Sequence, residues 1–309
     1  MKLVLKIAVL IDMRLLVLGG SGMLGHKLVQ LFNPRFETFA TLRGPSGEYA
    51  RFGIYDESRT LGGVVAEKFE TVAGAIASVR PDVVINCIGV VKQDAAAKDP
   101  ITSIMVNSLF PHRVAEVCHQ SKTRFIHLST DCVFSGRKGN YAESDETDAQ
   151  DLYGRTKLLG EVAGEGSLTI RTSMIGRELH GAHGLLEWFL SQKGDQVRGF
   201  KRAVFSGLTT NSLAGVIANV VEQHPELRGI WHVAGQPINK FDLLSLVREG
   251  YGLDVEIELD ETFVCDRSLD GSRFCDATGF KAPTWQQLIQ EMRYDPTPYD
   301  KIRRVDASR

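Results

Sequence analysis

Short apolar runs alternate with amphipathic stretches over the first two-thirds of the chain. Leu15–Leu18 reads as a strand, Met23–Phe32 as a helix and Phe36–Leu42 as a second strand, after which an irregular stretch rich in Gly and Arg runs to Gly63. Val72–Val79 has helical spacing, Asp82–Ile88 (DVVINCI) is an apolar run of strand length, and Ile101–Ser121 reads as a long helix. Arg124–Leu128 is another strand, leading into Ser129-Thr130-Asp131; Leu152–Glu161 is helical and Leu168–Arg171 a strand. Strands that are apolar at nearly every position and separated by helices are buried on both faces. The pattern predicts an α/β fold with a doubly wound parallel sheet.

After Arg171 the pattern loosens. Leu185–Gln192 and Leu213–Gln223 have helical spacing, and Ile230–Val233 (IWHV) reads as a late strand of the same sheet. Phe241–Tyr251 is a helix, Val255–Leu259 a short strand, and Thr284–Met292 a last helix before a polar, Pro-containing end. There is no internal repeat, low-complexity tract or linker. The expected organisation is an N-terminal extension over residues 1–12, a sheet domain over 13–174 with a later contribution from about 207–235, and a smaller C-terminal lobe over 175–206 and 236–309. The apolar run within Met1–Ile11 could pass for the core of a signal peptide. No small-residue cleavage site follows, however, and the run continues directly into a turn that a folded domain needs.

Composition narrows the class. A hydrophobic fraction of 43% and a charged fraction of 24% over 309 residues are ordinary for a globular protein with an ample core. A net charge of -2, from 36 basic and 38 acidic residues, gives no electrostatic case for nucleic acid. No segment is long and apolar enough to predict a membrane span. Five cysteines, odd in number and without C-x-x-C spacing, fit thiols in a cytoplasmic enzyme better than disulfides or zinc.

Gly19-Gly20-Ser21-Gly22-Met23-Leu24-Gly25 lies between the first strand and the first helix. Early glycines permit a tight turn and close backbone approach to a pyrophosphate, and the last lets helix and strand pack closely. The helix start then offers free N–H groups to the anion. A dinucleotide is the expected ligand, held by Gly19, Ser21, Gly22, Met23, Leu24 and Gly25 on a Rossmann-type sheet. Arg43 stands at the end of the second strand, where an NAD site usually has an acidic residue. An arginine there can pair with a 2′-phosphate, which favours NADPH over NADH; stacking on adenine or facing solvent are its other options. Cys87, Ile88 and Gly89, at the end of a later strand, leave room for the nicotinamide ribose.

Tyr153 and Lys157 are four residues apart on a predicted helix and so share one face. A phenol near pKa ~10 carries protons poorly at neutral pH unless its anion is stabilised, and a neighbouring ammonium can do this. An exposed amphipathic helix would show the same pair. Thr130, at a strand end about twenty residues upstream, places a hydroxyl at the carboxyl edge of the sheet, where open α/β folds bind ligands.

On these residues the chain resembles the extended short-chain dehydrogenases/reductases, and within them the dTDP-4-dehydrorhamnose reductase family. The stretches that carry the likeness are LVLGGSGMLGHKL, RPDVVINCIG, the helix with Asn107, FIHLSTDCVFSG with Tyr141-Ala142-Glu143, DLYGRTKLLGE, LTIRTSMIG and DRSLDGSRF. Together they cover about residues 13–295. The resemblance implies that Tyr153 protonates a carbonyl oxygen while a nicotinamide delivers hydride to its carbon. It implies that Lys157 holds the nicotinamide ribose and lowers the Tyr153 pKa, that Thr130 hydrogen-bonds the same oxygen, and that Asn107 orients the lysine through a water or a backbone carbonyl. The family's acidic pattern after the second strand is replaced here by Phe52–Val65. Some relatives dimerise around a metal held by glutamates. The resemblance thus admits a homodimer, but no metal ligand of this chain matches those positions.

The implied reaction is reduction of the 4-keto group of a nucleoside-diphosphate 6-deoxy sugar, feeding surface polysaccharide. Lys92, Gln93, Asp131, Arg171, Phe205, Arg267 and Arg273 are candidates to touch the substrate, the arginines because their forks suit phosphate oxygens. Trp188 and Trp285 read as core. A nucleotide-sugar epimerase or epimerase-reductase would need a further acid/base pair, for which Cys132 and His180 or His183 are available. A non-catalytic, NADP-binding regulatory subunit is a third reading, which an intact Thr130–Tyr153–Lys157 set argues against. Neither base, sugar nor product stereochemistry is fixed by these residues.

Overall fold

Leu15, Leu16, Val17 and Leu18 bury their whole surface in strand β1 (Arg14–Leu18). A strand apolar on both faces has to sit inside a sheet covered on both sides, and β1 does. In this computed structural model, which describes residues 12–92 and 95–307, β1 pairs in parallel with β2 (Glu37–Thr41) and β4 (Val83–Asn86). Of the expected N-terminal extension, all but Asp12 lies outside the described residues, as does Gln93.

Strand β3 (Thr60–Leu61) extends the sheet beyond β2; β5 (Arg124–Thr130), β6 (Ser167–Thr172) and β7 (Gly229–His232) extend it beyond β4. The order β7-β6-β5-β4-β1-β2-β3 makes a seven-stranded parallel sheet of the Rossmann type. Its order reverses between β1 and β4, and a ligand crevice opens at the carboxyl ends of the two strands on either side of such a reversal. Here those ends are Leu18 and Asn86, with the Cys87 N–H donating to the Leu18 carbonyl at 3.0 Å.

The chain divides into two units: Met1–Leu128, Leu159–Thr169 and Ala214–Ile230 in the first, and Ser129–Leu158, Ile170–Leu213 and Trp231–Arg309 in the second. The first unit holds the helices that follow β1, β3 and β4. Helix α1 (Gly25–Phe32) opens at the glycine turn, and α2 (Phe69–Val79) ends where Arg80 adopts a left-handed conformation, φ 51°. Leu16, Leu18, Val72, Ile76, Val84, Phe110, Val114 and Phe125 are among the buried residues of its core.

The long helix predicted over Ile101–Ser121 is present but not uniform. It starts at Pro100–Ser103, where the Asp99 carboxylate accepts from the N–H groups of Ile101 and Thr102 and Pro100 takes the first helical position. It widens to a π-helix over Ile104–Leu109 and returns to α over Phe110–Gln120. Such π stretches often mark functional sites. This one carries Asn107, whose Oδ1 accepts from the Val90 N–H (2.9 Å) and whose Nδ2 donates to the Val90 carbonyl (3.0 Å).

In the second unit the helix Leu152–Leu159 is short, and a core gathers Val133, Phe134, Tyr141, Ala234 and Leu269. Phe134 and Tyr141 stack at 4.2 Å. Ala203–Phe205 pairs with Ile238–Asn239 and Cys265–Asp266, while Glu256–Asp260 pairs in parallel with Gln196–Phe200. The polar, Pro-containing end hides a further helix, Tyr299–Ala307, tied back by Asp300 to Arg177 at 2.9 Å.

Replacing Asn107 by Ala would leave the amide and carbonyl of buried Val90 without their partner. Equilibrium urea unfolding should show a loss of about 2–4 kcal/mol; a variant as stable as the parent would show that the Asn107 bonds do not hold this turn.

Candidate active site

The first unit builds a cradle for a pyrophosphate. At the end of β1 the chain turns through Gly19, φ 78°, a conformation that L side chains rarely adopt. Thr41 of β2 fixes the turn: its carbonyl accepts from the Gly20 N–H (2.9 Å) and its hydroxyl from the Gly19 N–H (3.1 Å). A Cβ on Gly25 would fall inside the Gly19 carbonyl oxygen, so only glycine lets α1 start this close to the turn. The first turn of α1 carries no acidic residue, and its N-cap, Leu24, makes no side-chain capping bond. An anion fits such a helix start. Ser21 and Met23 are half-buried and Gly22 is exposed, so the turn's outer face is open to a ligand.

Cys87 and Ile88, half-buried, and exposed Gly89 form the neighbouring turn. Asn86, fully buried, accepts from the Ile88 N–H at 3.0 Å and contacts His127 Nδ1 at 3.1 Å, while Asn107 holds Val90. The turn is thus pinned at both ends by asparagine side chains. The Asn107 side chain is engaged with Val90, which leaves its backbone carbonyl as the group able to act on another residue. That carbonyl lies against Gly160, where a Cβ would overlap it. Arg43 pairs with Glu67 (2.8 Å) and is 69% exposed. Lys92 is also exposed.

The second unit brings the three hydroxyl and amine groups of the expected catalytic set onto neighbouring segments. Asp151 accepts from the Gly154 N–H (2.7 Å) at the start of the helix Leu152–Leu159, and a Cβ on Gly154 would collide with the Cys132 carbonyl. That glycine lets the helix lie against the turn Asp131–Val133, which carries on from Thr130. Tyr153 is half-buried and Lys157 buried, one turn apart. Burial pushes the Tyr153 phenol above its usual range, the nearby Cys132, Asp131 and Asp151 add to this, and a hydrogen bond with Thr130 opposes it. The lowering expected from Lys157 is therefore not what dominates here: burial is.

Thr130 has one hydroxyl hydrogen. Its oxygen accepts from the Cys132 N–H (3.1 Å) and it donates to Asp131 Oδ1 at 3.0 Å, so a phenolate at Tyr153 competes with Asp131 for the same hydrogen. Burial pushes the Asp131 carboxyl up, against the Thr130 bond and the charges of Arg267 and Lys240. Lys240 went unnoticed in the sequence. Its ammonium stands 3.7 Å from the centre of the Phe205 ring, and burial lowers its pKa against the pull of Asp131. Nothing in a single N-terminal helix lysine signals this placement.

A cleft of about 490 Å³ lies beside these groups, lined by Ser135, Gly136, Arg137, Gln150, Asp151, Val264 and Arg267. Arg267 also donates from Nε to the Phe134 carbonyl (2.9 Å). The other candidate arginines are placed differently. Arg171 is 4% exposed, with its guanidinium over Phe134 and Nη1 3.4 Å from His232 Nε2. Arg273 lies over Trp231 and faces Glu143. Trp285 is buried against Phe205, as expected of core, whereas Trp188 is 38% exposed. The five cysteines are free thiols, and among the described residues no group of His, Cys, Asp and Glu could hold a metal ion. No described helix is long and apolar enough to cross a membrane.

Residues 13–295 match the family described as the RmlD substrate binding domain. The dTDP-4-dehydrorhamnose reductase of Mycolicibacterium smegmatis is 32% identical over 183 residues, 57% of this chain and 56% of that protein. That of Streptomyces griseus is 34% identical over 152 residues, 48% of this chain and 44% of that protein. The chain thus spans about half the length of these curated relatives. A hypothetical dTDP-4-dehydrorhamnose reductase from Sulfolobus tokodaii superposes with a TM-score of 0.73 at 27% identity, over 88% of this chain and 98% of that one. The dTDP-4-dehydrorhamnose reductase of Bacillus anthracis, solved in complex with NADP, shares the fold at a TM-score of 0.75 and 18% identity, over 92% and 100%.

The raised Asp131 pKa has a definite sign in stability. The fold favours the neutral acid, so that contribution is present below about pH 4 and is lost as the pH rises through the folded value. Asp131→Asn stays neutral throughout, and its Tm should gain on the parent's over the range upward from about pH 4, followed by scanning fluorimetry. A difference that is flat or falls over that range would exclude a penalised carboxylate at this position.

Proposed function

The chain belongs to the RmlD substrate binding domain family, and from that membership we propose that it reduces the 4-keto group of a nucleoside-diphosphate 6-deoxy-hexulose, with NADPH as reductant, on the way to surface polysaccharide. The observation that carries the reading is the half-buried Tyr153 phenol hydrogen-bonded to Thr130, one helical turn from Lys157. Both curated relatives described above bear the name dTDP-4-dehydrorhamnose reductase.

The glycine cradle suits the cofactor, since the missing Cβ atoms and the uncapped start of α1 leave room and N–H groups for a pyrophosphate. When bound, the nicotinamide supplies a hydride to the carbonyl carbon. The residues of the chain handle the proton and the orientation. Tyr153 gives its phenolic hydrogen to the carbonyl oxygen as the C–O bond becomes an alkoxide, so that the product is the neutral alcohol and the enzyme is left with a phenolate. Thr130 donates to the same oxygen and afterwards can turn its hydrogen to the phenolate. Lys157 supplies a positive charge one turn away, which makes the phenolate less costly. A phenol rests protonated at neutral pH, so Tyr153 starts as the donor; burial makes it a weaker acid, which the Lys157 charge has to offset.

Arg267, on the wall of the cleft and already anchored through Nε, is the arginine best placed to meet the diphosphate. Arg171, buried on Phe134, serves the core instead.

Tyr153→Phe should lower kcat by about 10²–10⁴-fold while leaving NADPH binding intact, followed as loss of NADPH absorbance with dTDP-4-dehydrorhamnose and related 4-keto nucleotide sugars. If the parent turns over none of these sugars, or the variant performs as well as the parent, the reductase reading is wrong.

A further inference from the structure

We propose that Glu67 sets the cofactor preference of the dinucleotide site by competing with a 2′-phosphate for Arg43. This rests on the reading of the glycine turn as a dinucleotide site. In a strand–turn–helix site of this kind the adenosine ribose lies at the end of the second strand. An acidic residue there suits a 2′-hydroxyl, and an arginine suits a 2′-phosphate. This chain puts both at that end. Arg43 follows β2 by two residues, and its guanidinium Nη2 meets Glu67 Oε1 at 2.8 Å.

The backbone on either side of the pair is held. The Leu42 N–H donates to the Leu61 carbonyl (2.9 Å), the Val64 N–H to the Leu42 carbonyl (3.0 Å), and the Gly63 N–H to the Gly44 carbonyl (3.1 Å). Thr41 in turn is bonded to the glycine turn. The backbone on which the Arg43–Glu67 pair is mounted is therefore held at the end of β2, although the arginine side chain itself is largely in solvent.

The pairing is one-sided. Glu67 Oε1 takes the guanidinium, while Glu67 Oε2 is buried with no hydrogen-bond partner among the described residues. A 2′-phosphate that draws the Arg43 Nη2 away would leave both carboxylate oxygens without a donor, and one that binds the other guanidinium N–H groups would still face the Glu67 carboxylate as a like charge. Stranding a carboxylate in this way is costly, and the like charges repel. A 2′-hydroxyl imposes neither penalty, because the pair can stay as it is. Glu67 thus weakens NADPH binding and spares NADH. An arginine alone at the end of β2 would read as a plain NADPH site; Glu67, more than twenty residues downstream, moderates it.

The test measures dissociation constants for NADPH and NADH by cofactor fluorescence at fixed ionic strength, on the parent, Glu67→Gln, Glu67→Ala and Arg43→Ala, each confirmed folded by its thermal transition. Both Glu67 variants should bind NADPH about threefold to tenfold more tightly with NADH unmoved, and Arg43→Ala should weaken NADPH by a similar factor. The proposal is overturned if both Glu67 variants keep the parent's NADPH-to-NADH ratio. If the parent binds neither cofactor, the dinucleotide reading itself fails, and this inference with it.

Discussion

No side chain fits at position 25. The Gly19 carbonyl stands where a Cβ would be, so the first helix can begin hard against the turn that ends the first strand. That contact sets the rest of the first unit's ligand face. It puts the uncapped N–H groups of the helix beside a backbone that Thr41 has already fixed. It also requires Gly19 to adopt a positive φ, which brings Ile88 close on the far side. A turn this tight has no slack, and its neighbour is made equally firm: Asn86 and Asn107 occupy the polar groups on both sides of Cys87–Gly89. Two buried asparagines cost desolvation that their hydrogen bonds recover only in this geometry. The result is a pair of preorganised turns at the reversal point of the sheet, which spares the protein the cost of ordering its own backbone when a ligand binds.

How far this was legible in the sequence depends on the range of the interaction. Strands β1 and β4 announce themselves because burial on both faces leaves an almost unbroken apolar run, Leu15–Leu18 and Val83–Ile85. Gly22 and Gly25 are legible for a local reason, since each answers the Gly19 carbonyl within the turn, whereas Gly19 and Gly20 also answer Ile88 and Ala40 on neighbouring segments. The Tyr153–Lys157 spacing is visible because a helix repeats every 3.6 residues. By contrast, Gln196–Phe200 and Ala203–Phe205 are too short to show a period and exist by pairing with strands about sixty residues away. The π-helical stretch at Asn107 answers to Val90, seventeen residues earlier, and no local pattern encodes that. Arg171 looked like a phosphate ligand by residue type; its place over Phe134 and beside His232 is a property of the packed core. Glu67 and Lys240 were missed for the same reason, as each matters through a partner distant in sequence.

The second unit keeps charged groups where burial penalises them. Asp131 is held above its usual pKa and Lys240 below, and Tyr153 is raised beside them. Replacing a buried charged pair by apolar residues is often neutral or stabilising. A unit that only had to fold would gain by losing Asp131 and Lys240 together. Clusters of groups pushed off their ordinary pKa values are instead what proton-transfer sites contain. The direction of the Tyr153 shift is informative as well. A phenol already rests protonated at neutral pH, so the upward shift makes Tyr153 a weaker acid at rest, and proton transfer from it depends on positive charge held nearby. The Thr130 hydroxyl donates to Asp131 at rest, and its hydrogen bond with Tyr153 works against the burial that raises the phenol.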